Sequence, residues 1–146
     1  MSRAQAIVIR ENKILMIKHK EITLEYWCLP GGGINEGENP EEATLRELKE
    51  ECNVDGKIIR QTSIIFFNET DRHYTYLVDI DEQIPRIGYD PELKSDQQII
   101  SDMQWLSLKE IPERDRCYLW SSGLIGIESF INEINNWGNS ISYPIS

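Results

Sequence analysis

Two β-rich runs open the chain, AIVIR within residues Ala4 to Arg10 and KILMIK at Lys13 to Lys18. Glu11 and Asn12 between them form a tight hairpin turn. His19 to Glu25 is a polar connection. Tyr26 to Leu29 reads as a short strand that delivers Pro30 and an open loop of three glycines, Gly31 to Gly33. A stretch with helical periodicity follows. From Gly56 the pattern returns to β, with Lys57 to Asn68 carrying Ile58, Ile59, Ile64, Ile65, Phe66 and Phe67. Glu69 to Arg72 turn the chain, and His73 to Ile80 alternate, with Tyr74, Tyr76 and Val78 on one face and Leu77 on the other. Asp81 to Asp96 is polar and contains Pro85, Gly88 and Pro91; loops of that length in compact domains are usually functional or mobile. Gln98 to Leu108 hold a further strand around Met103, Trp105 and Leu106. Leu119 to Trp137 predict a closing helix, with Leu124, Ile127, Phe130, Ile131 and Ile134 at helical spacing. No repeat or linker divides residues 1–146, so one domain is expected. The order of elements predicts an α/β fold, a mixed β-sheet with helices on both sides.

The stretch GGINEGENPEEATLRELKEECNV, Gly32 to Val54, is the most informative part of the chain. Asn39 stands where an N-cap belongs, Pro40 follows at the first helical position, and Glu42 at the third can answer the cap. The helix should end at Cys52, with Asn53 as a left-handed stop and Val54 folding back on Leu48. On a helical wheel Leu45, Leu48 and Cys52 share the face that packs on a core, while Glu47, Glu50 and Glu51 fall together elsewhere. Carboxylates three and four residues apart repel by about 0.2–0.5 kcal/mol per pair. Arg46 makes i, i+4 pairs with Glu42 and Glu50, but one arginine cannot neutralise the cluster. A hard divalent cation with oxygen ligands can, and Mg²⁺ is the usual choice where a phosphate completes its shell. The plain alternative is a solvated acidic face, which is common on surface helices.

Gly32, Glu38, Arg46, Glu47, Leu48, Glu50, Glu51 and Val54 stand in the register G-x5-E-x7-R-E-U-x-E-E-x-G-U, where U is bulky and aliphatic. That pattern resembles the Nudix box. The box's last glycine is Asn53 here, which tolerates the same backbone region. A looser likeness extends through YWCLPGG and MQWLSL. The resemblance implies a Nudix α/β/α sandwich with a mixed sheet between helices. It also implies a Mg²⁺-dependent hydrolase, Mn²⁺ being a substitute, that cleaves a pyrophosphate bond in a nucleoside diphosphate linked to another group, or in a nucleoside triphosphate. The same resemblance gives Glu50 and Glu51 as metal ligands, with the Gly32 carbonyl as a backbone ligand. Glu47 is either a ligand or the catalytic base, and Arg46 orients the glutamates. On the substrate side it offers Glu38, which also serves the loop, and the acids and amide before the last strand, Glu92, Asp96 and Gln97. Gln97 stands about where some members carry an extra acid, and it cannot act as a base. A non-catalytic, nucleotide-sensing module of the same family is the alternative, and homodimers are common among members.

Composition narrows the class. The net charge of −10 argues against a nucleic-acid polymer, which needs a basic footprint, and against an anionic membrane surface. No apolar run is long enough to span a bilayer, and MSRAQAIVIRENK lacks the pattern of a signal peptide. The 3 cysteines, Cys28, Cys52 and Cys117, form no CxxC and read as buried thiols of a reducing compartment, so a cytoplasmic location is expected. His19 and His73 read as structural or surface histidines. Trp27, Tyr74 and Tyr76 could stack on a base, but packing is their default. GGGINEG lacks the G-K-[ST] of a phosphate-binding loop, and no G-x-S-x-G occurs.

Overall fold

The computed structural model describes residues 1–20, 22–88, 100–123, 127, 128 and 130. Its first apolar run is divided at Val8 into β1 (Arg3–Ile7) and β2 (Ile9–Arg10), which belong to different sheets. Glu11 and Asn12 then turn the chain with φ of 52° and 61°. Two successive left-handed residues match the right-handed twist of a hairpin. β3 (Lys13–Lys20) runs two residues beyond the expected end. It pairs antiparallel with β2, with β4 (Glu25–Cys28) and with β8 (Ile100–Leu106).

The other sheet has the order β5 (Gly31–Gly33), β1, β7 (Arg72–Asp79), β6 (Lys57–Phe66). β1 and β7 run parallel and the other pairs antiparallel, so this sheet is mixed. The three glycines are therefore a strand and not the open loop expected, with Gly32 opposite Ala4. A Cβ at Gly31 would overlap the Ala4 carbonyl oxygen and Gln5, so the absence of side chains permits this close pairing.

Alternation along the central strands fills two apolar clusters. Ala6, Val8, Leu15 and Ile17 meet Leu48 and Cys52 of α1 (Pro40–Cys52) on one side. Ile7, Ile14 and Met16 meet Leu108, Ile111 and Leu119 on the other, where a 3-10 turn (Leu108–Glu110) leads into α2 (Glu113–Ser121). Helices thus flank the strands on both sides, an α/β architecture. β7 divides as its alternation predicts: Tyr76 and Val78 belong to the first cluster with Tyr74 against it, and Leu77 packs against the second.

A helix not foreseen, α2, begins at Glu113 just after Pro112 and ends at Ser121, which interrupts the helix expected from Leu119 to Trp137; within that expected span Glu128 and Phe130 are helical. Gly123 supplies the stop, with φ +83°, and a Cβ there would overlap the Thr62 carbonyl oxygen. Ile127 and Phe130 do reach the core, whereas Leu124, Ile131 and Ile134 lie outside the described residues. Among the described residues no helix is long and apolar enough to cross a membrane.

Candidate active site

The local sequence builds α1 as its caps require. Asn39 is extended, and its Oδ1 accepts the Glu42 N–H at 2.8 Å. Asn53 is left-handed at φ 61° and ψ 35°, and its N–H donates to the Lys49 carbonyl at 3.0 Å. Leu48 and Cys52 are fully buried, with Leu45 packed against the same cluster. Burying that face fixes where the next one points. Glu47 and Glu51 face β5 and Glu50 turns to Arg46, with side chains 15, 12 and 28% exposed.

Each carboxylate is held differently. Glu47 lies against Gly32: a Cβ there would sit 2.5 Å from Glu47 Oε1, so only glycine leaves the acid its place. Glu51 Oε1 accepts the Gly31 N–H at 2.7 Å. Arg46 is the hub. Its Nη1 donates to Glu47 Oε1 at 2.9 Å and to Glu50 Oε2 at 3.3 Å. Its Nε donates to Glu38 Oε2 at 2.8 Å, and its Nη2 donates to Glu38 Oε1 and to the Gly33 carbonyl. Arg46 therefore pairs with Glu38, Glu47 and Glu50, and the expected pair with Glu42 is not among the ion pairs of the described residues. Glu38 anchors the loop as well, its Oε1 accepting the Asn35 N–H at 3.0 Å.

The electrostatics follow from this packing. Burial, and then the Glu51 charge, push the Glu47 carboxyl up to about 7, against the pull of Arg46. Burial also raises Glu51, opposed by His19 and the Gly31 N–H. The bonds from Arg46 hold Glu38 below the usual carboxylate range, and Glu38 in turn raises Arg46. Three carboxylates, Glu38, Glu47 and Glu50, thus surround one guanidinium, and the Glu51 charge acts on Glu47 beside them. Among the described residues no three His, Cys, Asp or Glu side chains converge on one point. The donors at hand are carboxylate oxygens and, beside them, the Gly32 backbone. That all-oxygen set and its excess of negative charge fit a hard divalent cation and not a soft one.

A cavity of about 490 Å³ opens on the α2 side of the strands, sharing Met16, Leu29 and Leu119 with the second apolar cluster. Its apolar wall includes Leu24, Tyr26, Leu29, Ile65, Phe67 and Leu119. Arg3, His73, Arg114 and Asp115 add polar groups, two of which are already matched: Arg114 Nε donates to Asp115 Oδ1 at 3.0 Å. Burial and the nearby Arg3 lower the His73 pKa, which favours its neutral form. Cys28 connects cavity and helix. It lines the cavity, and burial followed by the Glu51 charge pushes its thiol up to about 12. Cys28 and Cys52 are free thiols, while the Cys117 side chain lies outside the described residues.

Of the residues predicted from sequence, Glu38, Arg46, Glu47, Glu50, Glu51 and Gly32 come together. Glu92, Asp96 and Gln97 lie outside the described residues. Tyr76 is buried and Trp27 and Tyr74 pack against the clusters, so the aromatic wall is made by Tyr26 and Phe67 instead. Sequence reasoning missed His19, which is buried with its Nε2 unpartnered. Its parity with Leu15 and Ile17 on β3 was the available signal, since those two face α1.

Comparison with known proteins adds an independent line. The family model described as NUDIX domain matches residues 1–121. The mouse (Mus musculus) diphosphoinositol polyphosphate phosphohydrolase 3-alpha is 34% identical over 68 residues, 47% of this chain and 41% of that protein. The matched stretch thus spans less than half the length of that relative. Among solved structures, a MutT NUDIX hydrolase from Burkholderia pseudomallei superposes with a TM-score of 0.64 at 22% identity, covering 82% of this chain and 95% of that one. A C. elegans Ap4A hydrolase gives a TM-score of 0.66 at 17% identity, over 90% and 99% of the two chains.

Proposed function

The chain belongs to the Nudix family, and from that premise we propose that it is a Mg²⁺-dependent pyrophosphohydrolase acting on a nucleoside diphosphate linked to another group, nucleoside triphosphates included. The observation that carries the reading is one turn of α1 on which Glu47 lies against Gly32, Glu51 accepts the Gly31 N–H, and Glu47 and Glu50 share Arg46 as counter-charge. Glu50, Glu51 and the Gly32 carbonyl would hold the cation. A bound Mg²⁺, or Mn²⁺ in its place, supplies charge for the pyrophosphate oxygens and a more acidic water. Glu47 takes the proton as a water oxygen bonds to phosphorus and the bridging P–O bond breaks. Its Oε2, which Arg46 leaves free, is the accepting atom.

The cavity supports a nucleoside rather than a heavily phosphorylated ring. Its wall is mainly apolar and aromatic, its Arg114 is matched by Asp115, and its His73 favours the neutral form. A planar base fits such a wall, while a polyphosphate would need more cations.

The test is phosphate and nucleotide release across a panel of nucleoside triphosphates, dinucleoside polyphosphates, nucleotide sugars and diphosphoinositol phosphates, with Mg²⁺ or Mn²⁺. Turnover of a nucleotide, lost in Glu50→Gln with the fold retained, is expected. Full activity in Glu50→Gln would remove α1 from the chemistry. Tight nucleotide binding without turnover would instead identify a nucleotide-sensing module.

A further inference from the structure

We propose that His19 is a positioning residue for Glu51 and that Tyr26 sets the tautomer in which it acts. Three features of the chain converge on this assignment. First, His19 and Tyr26 are directly opposite in the β3–β4 ladder, with ring centroids 5.5 Å apart and the Tyr26 hydroxyl 3.4 Å from His19 Nδ1. Second, the other ring nitrogen, Nε2, is buried, has no hydrogen-bond partner and lies 3.8 Å from Glu51 Oε2. Third, the register shift against β8 places the extra residue, Ser101, on β8, so β3 keeps its alternation and His19 shares the α1-facing side of Leu15 and Ile17.

The tautomer follows from charge. If the hydroxyl donates to Nδ1, the ring carries its hydrogen on Nε2 and faces the Glu51 carboxylate with a donor. The opposite tautomer would turn a lone pair toward a carboxylate, which is repulsive. Glu51 Oε1 is already anchored by the Gly31 N–H at 2.7 Å. A donor near Oε2 gives the second anchor, so the carboxylate plane is held from both ends. His19 touches no reacting atom in this arrangement; it acts through Glu51. The inference rests on the reading of Glu51 as a cation ligand.

The experiment is Mn²⁺ binding to the full chain, followed by the electron paramagnetic resonance of free Mn²⁺, together with ¹⁵N chemical shifts of the His19 ring. His19→Leu should weaken Mn²⁺ binding by about 10-fold or more, the usual effect of removing the partner of a ligating group. His19→Gln, which places an N–H near the position of Nε2, should restore most of the affinity. Tyr26→Phe removes only a hydroxyl, so it keeps the test open if His19→Leu fails to fold. It should weaken binding less than His19→Leu and remove the preference for the Nε2–H tautomer. Unchanged Mn²⁺ affinity in both His19→Leu and Tyr26→Phe, with the wild type binding, would overturn the role of His19 while leaving Glu51 a ligand. An Nδ1–H tautomer in the wild type would overturn it too. A wild-type chain that bound no Mn²⁺ would sink the cation reading itself and this inference with it.

Discussion

Glu47 sits in a conflict of forces. Burial and the charge of Glu51 press its carboxyl toward the neutral form up to about pH 7, while Arg46 favours the anion. An acid whose pKa is raised on folding holds its proton more tightly in the native state. Its contribution to stability is therefore fully present below the unfolded value and is lost as pH rises through the folded one. In EDTA, the Tm of Glu47→Gln should gain on that of the wild type between pH 5 and pH 8 by roughly 3 °C or more, the shift that about 1 kcal/mol produces at this chain length. Thermal melts across that range decide it, and a gap that stays flat with pH would contradict the assignment. At this scale the sequence was readable where chemistry is local. Asn39, Pro40 and Asn53 do their work within one turn, so residue type and spacing suffice. The partners of Arg46 were only partly readable: Glu50 was foreseen, but Glu38 and the Gly33 carbonyl reach it through a folded loop, and Glu42 was displaced by them.

The element that presents the acids depends on a loop docked at its end. The Arg86 N–H donates to the Cys52 carbonyl at 2.9 Å, and the Gly88 N–H donates to the Glu51 carbonyl at 2.7 Å. These two bonds satisfy carbonyls of the last turn of α1, which has no further turn to do so. A methyl group at position 88 would overlap the Glu50 carbonyl oxygen, so loop or helix must shift. Gly88→Ala should cost about 1–3 kcal/mol, the range for overpacking, and lower kcat because Glu50 and Glu51 ride on that turn. Gly37→Ala is the control: its space is open, and only its φ of +79° opposes a side chain. Denaturant melts with initial rates would separate them, and a Gly88→Ala protein as stable and active as the wild type would refute the docking role. The length and polarity of the segment from Asp81 announced a loop. Its grip on the helix end was hidden, because the contact joins residues far apart in sequence through backbone atoms that carry no residue-specific signal.

Across the whole molecule, the strands set α1 and its acids against one apolar cluster and the cavity against the other, with Cys28 between the cavity and Glu51. Phe67 is 61% exposed at the cavity and stacks obliquely on His73, with centroids 4.2 Å apart. Phe67→Ala should raise KM for the nucleotide by an amount equivalent to about 1–3 kcal/mol, the usual worth of base stacking, and leave Mn²⁺ affinity unchanged. Steady-state kinetics beside Mn²⁺ titration test this, and an unaltered KM would place the base elsewhere. The alternation along β1, β3 and β7 and the caps and apolar stripe of α1 were legible before any coordinates, since each repeats a short-range period that burial enforces. So was the acidic turn, because three glutamates within five residues need no partner from elsewhere to declare themselves. The division of the first apolar run between sheets, the strand made by Gly31–Gly33, and the meeting of His19 with Glu51 were not legible. Those arise from packing between distant segments, where the energy of a contact depends on what the rest of the chain brings to face it.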